Sequence, residues 1–303
     1  MDIAVGQETP HGQEEQRGHE PSSQAAPADL VQPAPGSISR FFGNTWAITK
    51  KELMLYFSTP LAYVLLSVFM FIMGYFFFAL TTLYQSAMLR AQQMEQFQPG
   101  LADRLNFTDV IFVGVFRNAG IIYLIIIPFL TMRLLADEKR QNTFQLLMTT
   151  PLRPWEIVLG KFFSSQLVLT LSLVLTLAYP LLLNSVAVSG GVEWETAGAV
   201  YLGYFLFTMT YVAIGLFISS LTENPVVAAL VTALVLLVLF ILSFASSAVE
   251  SGTAKDVLDF LCVTTHLQAF GEGIIKLADV TYFVSVTLLA LVLTRTSVER
   301  TRW

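Results

Sequence analysis

Uncharged stretches recur along the chain at 60–83, 110–132, 162–192, 196–222, 224–249 and 280–294, the second broken only by Arg117. A helix needs about 20 apolar residues to cross about 30 Å of hydrocarbon, so the first five are long enough. The sixth is short, and spans if Lys276 and Arg295 snorkel from its ends with Asp279 near the headgroups. The third carries Pro180 and runs into Ser189-Gly190-Gly191, which ends its span near Leu183 and leaves the remainder as loop. The pattern predicts an all-α integral membrane protein with six transmembrane helices over 60–303.

Ahead of the first span the periodicity is different. From Ile38 to Phe57 a helical projection gathers Ile38, Phe42, Trp46, Leu53, Tyr56 and Phe57 on one side, with Arg40, Asn44 and Lys51 on the other. That arrangement predicts an amphipathic helix over 38–59 lying in the membrane interface, its apolar face in lipid and its cations among anionic headgroups. An amphipathic helix packed on protein would show the same projection.

Residues 1–37 are rich in Pro, Gly, Gln, Ser and acid, and bury too little surface to offset the entropy of ordering, so they are expected to form a disordered tail. The sequence of cationic segment, apolar core and small-residue cleavage site that marks a signal peptide is missing. Across the whole chain of 303 residues, 54% are hydrophobic, 13% are charged and the mean hydropathy is +0.64, which excludes an ordinary soluble enzyme. The formal net charge of −5 resides in the tail, and the remainder is neutral. A neutral body has no field for a phosphate backbone, so no nucleic-acid partner is expected. Cys262 is the single cysteine, and the three histidines are scattered, so neither disulfide nor metal chemistry is indicated.

The bases near the span ends set an orientation. Eleven fall on the side of the N-terminus (Arg40, Lys50, Lys51, Arg133, Lys139, Arg140, Arg153, Lys161, Arg295, Arg300 and Arg302) and five on the other (Arg90, Arg104, Arg117, Lys255 and Lys276). The positive-inside rule then puts both termini in the cytoplasm, with 84–109 and 250–278 facing outward and 133–161 as the largest cytoplasmic loop. This is the topology of a multi-pass membrane protein.

Sites of catalysis are not apparent. The chain has no phosphate-binding Gly-x-x-x-x-Gly-Lys-Ser/Thr loop, no His-Glu-x-x-His and no Gly-x-Ser-x-Gly, so neither enzymatic activity of its own nor a cofactor is expected. Intramembrane enzymes bring ionisable pairs into their spans, and these spans are almost bare. Arg117 is the exception, and it snorkels to the headgroups if the second span begins near Asn118.

The loop from Met132 to Lys161 is the most informative segment. Its charges cluster at Asp137 to Arg140, and Phe144, Leu147 and Met148 follow at helical spacing until Pro151, which predicts a short cytoplasmic helix over about 136–150. Such a helix is either a solvated connector or a docking element, and Leu146 and Leu147 could equally seat it on the bilayer.

These residues resemble the membrane subunits of type-2 ABC exporters, in particular the gliding-motility permease branch. One block of likeness is Lys51-Glu52-Leu53 through Phe57-Ser58-Thr59-Pro60-Leu61-Ala62-Tyr63, similar to the family's interfacial helix running into its first span. A second is Ala136, Glu138, Lys139, Thr143, Leu146, Leu147, Pro151, Leu152, Ile157, Gly160 and Lys161, with Asn142 standing where the family usually has Gly and Gln145 where it often has Glu. A third is His266, Phe270, Gly273, Asp279, Tyr282 and Phe283, then Glu299-Arg300-Thr301-Arg302-Trp303, similar to the end of the gliding-motility branch.

The resemblance implies a permease subunit that pairs with a second, identical or related one, above separate ABC ATPase subunits that supply the hydrolysis. It implies an ATPase-coupling site at Glu138, Arg140, Thr143, Phe144, Leu146, Leu147, Pro151, Gly160 and Lys161, and an interfacial helix carried by Phe42, Trp46, Lys51, Leu53 and Phe57. A non-transporting mechanical or assembly module, acting on an extracytoplasmic auxiliary protein, is the alternative within the same resemblance. An intramembrane enzyme fits the bare spans least well.

Overall fold

The computed structural model describes residues 38–95, 99–100, 108–141, 143, 152–186, 192–248 and 252–300. The acidic tail over 1–37 and the loop residues Phe144, Leu146, Leu147 and Pro151 lie outside them. Helix α1 (Ile38–Ser58) runs along one end of a bundle and is followed directly by α2 (Pro60–Met94), with Pro60 at the first helical position, where its missing N–H costs nothing. A π-helical segment (Thr108–Val113) leads into α3 (Gly114–Thr131), and the short α4 (Ala136–Arg140) follows. Then come α5 (Pro154–Leu175), α6 (Ala178–Val186), α7 (Trp194–Leu221), α8 (Pro225–Ala248), α9 (Thr253–Leu261), α10 (Val263–Gly271) and α11 (Leu277–Arg300). There is no strand among the described residues, and six helical stretches are long and apolar enough to cross a membrane. The protein is an all-α integral membrane protein, as the run lengths predict.

Several boundaries differ from the sequence expectation, each for a physical reason. Helix α2 has 35 residues, about 52 Å at 1.5 Å per residue, so it outruns the hydrocarbon by several turns. The apolar run stops at 83, but Gln85, Gln92 and Gln93 are good helix formers, and hydropathy marks where lipid ends rather than where the helix does. The third span breaks between Leu175 and Ala178. Pro180 offers no N–H to the Thr176 carbonyl, and the chain turns through Thr176–Leu177 before resuming in α6. The last span is longer than its apolar run, because α11 begins at Leu277 and takes Asp279 into its first turn.

Helix α7 is the axis of the bundle. It packs against α3, α5, α8, α10 and α11, and its buried positions alternate small residues (Ala197, Gly203, Ala213, Gly215) with Tyr204, Phe207 and Tyr211. Gly203 shows why: a Cβ there would lie 2.7 Å from the Phe270 Cβ, so α10 crosses α7 only over a glycine. Polar side chains stitch the spans internally. Gln166 donates to Thr208, Thr210 bonds the Phe283 carbonyl and Thr287, and the Tyr123 and Ser172 hydroxyls are 2.8 Å apart. With no water in the hydrocarbon, such groups find partners in protein. By contrast, α2 and α8 are exposed along most of their length, with Phe71, Phe78, Leu230 and Leu234 all more than half exposed, as suits helices facing lipid.

Candidate functional site

At the end of the bundle carrying α1 and α4, Lys161 is only 2% exposed, yet it is a full cation on the second turn of α5. Its Nζ lies 3.0 Å from Glu52 Oε1 on α1 and 2.8 Å from Glu138 Oε1 on α4. One ammonium therefore ties together three elements from widely separated parts of the sequence. A buried cation is tolerated when paired and hydrogen-bonded, and both acids contribute here. The second carboxylate oxygen of Glu138, Oε2, is buried without a hydrogen-bond partner among the described residues. Lys51, 3.9 Å from Glu52 Oε1, is largely exposed and adds little.

The docking of α1 explains how Glu52 reaches Lys161. Thr45, Thr49, Glu52 and Tyr56 lie at spacings of four, three and four and form the buried face of α1 against α5. Gly160 makes the approach possible. A Cβ on it would stand 2.6 Å from Ile48 Cγ2 and 3.2 Å from the Thr45 carbonyl, and its own carbonyl accepts from Thr49 Oγ1 at 3.2 Å. Glu156 Oε2 accepts from the Arg153 N–H, capping α5, and from Asn44 Nδ2 on α1. One turn further along, the Tyr56 hydroxyl donates to the Leu130 carbonyl of α3 and lies 3.0 Å from Ser165 Oγ. Burial pushes the Tyr56 phenol well above its usual range, so it remains a donor.

Helix α4 is held from α7. Ser219 Oγ accepts from the Leu135 and Ala136 N–H groups and donates to the Met132 carbonyl, capping α4 from another helix. Lys139 Nζ donates to the Ser220 carbonyl at 2.5 Å, among the unpaired carbonyls at the C-terminus of α7. The α4 helix ends at Arg140, because Gln141 adopts φ −85° and ψ 2°, off helical values, so the expected continuous helix over 136–150 is interrupted at Gln141.

Among the sequence-predicted coupling residues, Glu138, Gly160 and Lys161 come together. Thr143 is exposed, its hydroxyl donating to the Glu138 carbonyl, and Arg140 is exposed beside it. In the interfacial set, Phe42 and Trp46 are exposed, as a lipid-facing side requires, and Lys51 is solvated. Leu53 and Phe57 are half-buried, packed on the core, and Tyr56 is buried. The projected single apolar face is therefore divided, part turned outward and part inward. Glu52 and Ser219 were not among the predicted site residues. The Thr45-Thr49-Glu52-Tyr56 spacing is the signal that could have found the first, whereas nothing in the local sequence marks Ser219.

At the opposite end of the bundle, His266 Nδ1 is 2.7 Å from Asp279 Oδ1, Nε2 is 3.2 Å from the Phe260 carbonyl, and the ring stacks on Tyr282 with centroids 4.0 Å apart. His266, Asp279 and Tyr282 of the third block of sequence likeness therefore form a packing cluster joining α9, α10 and α11; Thr301, Arg302 and Trp303 lie outside the described residues. Arg117, on the first turn of α3, is exposed at this same end. No metal-binding group of His, Cys, Asp or Glu occurs among the described residues.

A family model described as "ABC-2 family transporter protein" matches residues 101–294, nearly two thirds of the chain. No curated protein matches it.

Proposed function

The chain belongs to the ABC-2 family of transporter proteins, and on that premise we propose that it is the permease subunit of a type-2 ABC exporter whose coupling site is the Lys161 node. The observation that carries this reading is the buried Lys161 bridged to Glu52 and Glu138. A separate ATPase that pushes on α4 displaces Glu138, and through Lys161 the displacement reaches α1 and α5 together. The buried, unpaired Oε2 of Glu138 is an acceptor that a donor on the ATPase would satisfy. The motion is a population shift, driven by the different contacts that the ATPase makes with α4 before and after closure on ATP. Phe144, Leu146, Leu147 and Pro151 would extend the docking surface beyond α4. A second copy or a related permease completes the pore, and the membrane is the bacterial cytoplasmic membrane with both termini inside. The motif around His266, Asp279 and Tyr282 supports the gliding-motility branch, and with it an extracytoplasmic auxiliary protein.

The test is affinity purification of the native complex with its ATPase. Glu138→Gln should keep the complex together while reducing the permease's stimulation of ATP hydrolysis several-fold. Unchanged hydrolysis, coupled to unchanged transport, would remove the node from the mechanism. Topology is checked separately with single cysteines in a Cys262→Ala background. Positions Gly100 and Lys276 should react with an impermeant thiol reagent on intact cells, and position Arg140 should not.

A further inference from the structure

The end of the bundle opposite the Lys161 node holds an open cavity of about 870 Å³ lined by the π-helical segment, α3, α7, α8, α9 and α10. Its volume falls within the range of roughly 300–1,000 Å³ typical of small-molecule sites. The lining divides by chemistry. Phe116, Tyr204, Phe207 and Phe270, all buried, make an apolar wall on the side of the spans. The remaining wall carries charge of both signs: Asp109, Glu193, Asp259 and Glu272 against Arg117 and Lys255. Neither Arg117 nor Lys255 forms an ion pair among the described residues, although Asp109 and Glu272 line the same space; Glu193 and Asp259 have partners of their own.

We infer that this cavity is a binding site for an amphiphile with a zwitterionic headgroup, one that carries a protonated amine beside a phosphate or carboxylate. Each half of the lining rejects a simpler ligand. A purely cationic amphiphile would meet Arg117 and Lys255, and a purely anionic one would meet Asp109 and Glu272, so like-charge contacts penalise both. A zwitterion places its anionic group on the guanidinium and the ammonium through charge-assisted hydrogen bonds, and its amine among the carboxylates. The apolar tail then lies along Phe116, Phe207 and Phe270, whose burial of hydrocarbon supplies affinity that the headgroup alone would lack. The site goes beyond the coupling reading and does not rest on it, since it involves neither α1, α4 nor an ATPase. Two sources share this chemistry: a phospholipid of the surrounding leaflet, and a single-chain amphiphile arriving from solution.

The experiment uses the full chain in phosphatidylglycerol nanodiscs, without ATPase or ATP. The probe is a lysophosphatidylethanolamine labelled at the end of its acyl chain, compared with lysophosphatidylglycerol and an alkylamine of the same chain length and label. Saturable binding at least tenfold tighter for the zwitterion than for either other probe is expected. Arg117→Gln and Glu272→Gln should each weaken it about tenfold, and Gln268→Trp, which fills the cavity from an exposed position, should abolish it. Displacement by diacyl phosphatidylethanolamine built into the disc identifies the membrane source. Displacement by a single-chain phosphoethanolamine amphiphile added from solution identifies the other, and either supports the site. Equal binding of the three probes, displacement by neither competitor, or binding unaltered in Gln268→Trp would overturn it.

Discussion

At one end of the bundle Lys161 has two carboxylates within 3.0 Å and is almost wholly out of solvent; at the other, Arg117 and Lys255 face a cavity with four carboxylates on its walls and pair with none of them among the described residues. The difference lies in what stands behind the charge. Behind Lys161, Gly160 lets α1 lie directly on α5, and Ser219 fixes the start of α4, so the carboxylates arrive on helices that are already held in place. Around the cavity, α9 and α10 are nine residues each, and the His266–Asp279 pair ties them to α11 rather than to Arg117. One end is suited to transmitting a displacement without loss. The other is suited to admitting something that pairs with Arg117 and Lys255.

The comparison is broken most directly at Lys161. Removing one partner of a buried ion pair costs about 3–5 kcal/mol, because the remaining charge stays buried. Lys161→Met leaves the Glu52 and Glu138 carboxylates, 8% and 17% exposed, facing each other without a cation, and is expected to cost about that much, read as a lower melting temperature of the detergent-solubilised chain. Adding Glu52→Gln and Glu138→Gln should recover most of the loss, since an uncharged set has no unpaired charge to bury. A Lys161→Met chain as stable as the parent would mean that the node is solvated.

The next effect in size is steric. Gly160→Ala places a methyl 2.6 Å from Ile48 Cγ2 and 3.2 Å from the Thr45 carbonyl, and the latter is backbone that cannot rotate away. Forced overpacking costs typically 1–3 kcal/mol, and here it should appear as lost docking of α1. Amide hydrogen exchange along α1 should be faster in Gly160→Ala than in the parent, and Ile48→Ala tests the cause. It should restore only part of the protection, because the Ile48 Cβ is itself 2.7 Å from the new methyl.

A smaller effect belongs to Ser219. Its hydroxyl takes the place of an N-cap for α4, and loss of a cap costs about 1 kcal/mol. Ser219→Ala should therefore leave the fold intact while raising amide hydrogen exchange at Leu135 and Ala136. Lys139→Ala should add to it, since the ammonium pins the other side of α4 to the Ser220 carbonyl. Protection unchanged in both variants would show that α4 is held by its packing alone.

How much of this was legible depends on which physical signal each feature leaves. Six spans were legible because an uncharged run of about 20 apolar residues matches the thickness of a bilayer and is hard to keep in water, and α1 was legible as a helix from Ile38 because its periodicity is strong. The face that α1 buries was not. The projection put one apolar face in lipid, where Phe42 and Trp46 do turn out, but Leu53, Tyr56 and Phe57 turn in, and Thr45, Thr49 and Glu52 go with Tyr56 to meet α5. Glu138, Gly160 and Lys161 were singled out by their likeness to a family pattern, but their shared location was not readable, because Glu52 lies 109 residues from Lys161. The cavity left even less trace. Its charged residues are spread from Asp109 to Glu272, and no local spacing announces that they face one space.

The last and smallest expected effect sharpens the comparison from the open end. Arg117 and Lys255 have no ion-pair partner to lose among the described residues, and Arg117 is exposed, so Arg117→Gln and Lys255→Gln strand no buried charge. Substitutions of that kind usually change stability by less than about 0.5 kcal/mol in either direction. Because the cavity carries four carboxylates and two cations, removing a cation raises the local negative charge, so the sign should be slightly destabilising at low ionic strength and should vanish as salt screens it. Melting temperatures of the two single variants and of the double variant, each at low and high salt, measure this. A loss comparable to that of Lys161→Met, persisting at high salt, would mean that these cations are structural and that both ends of the bundle are built alike.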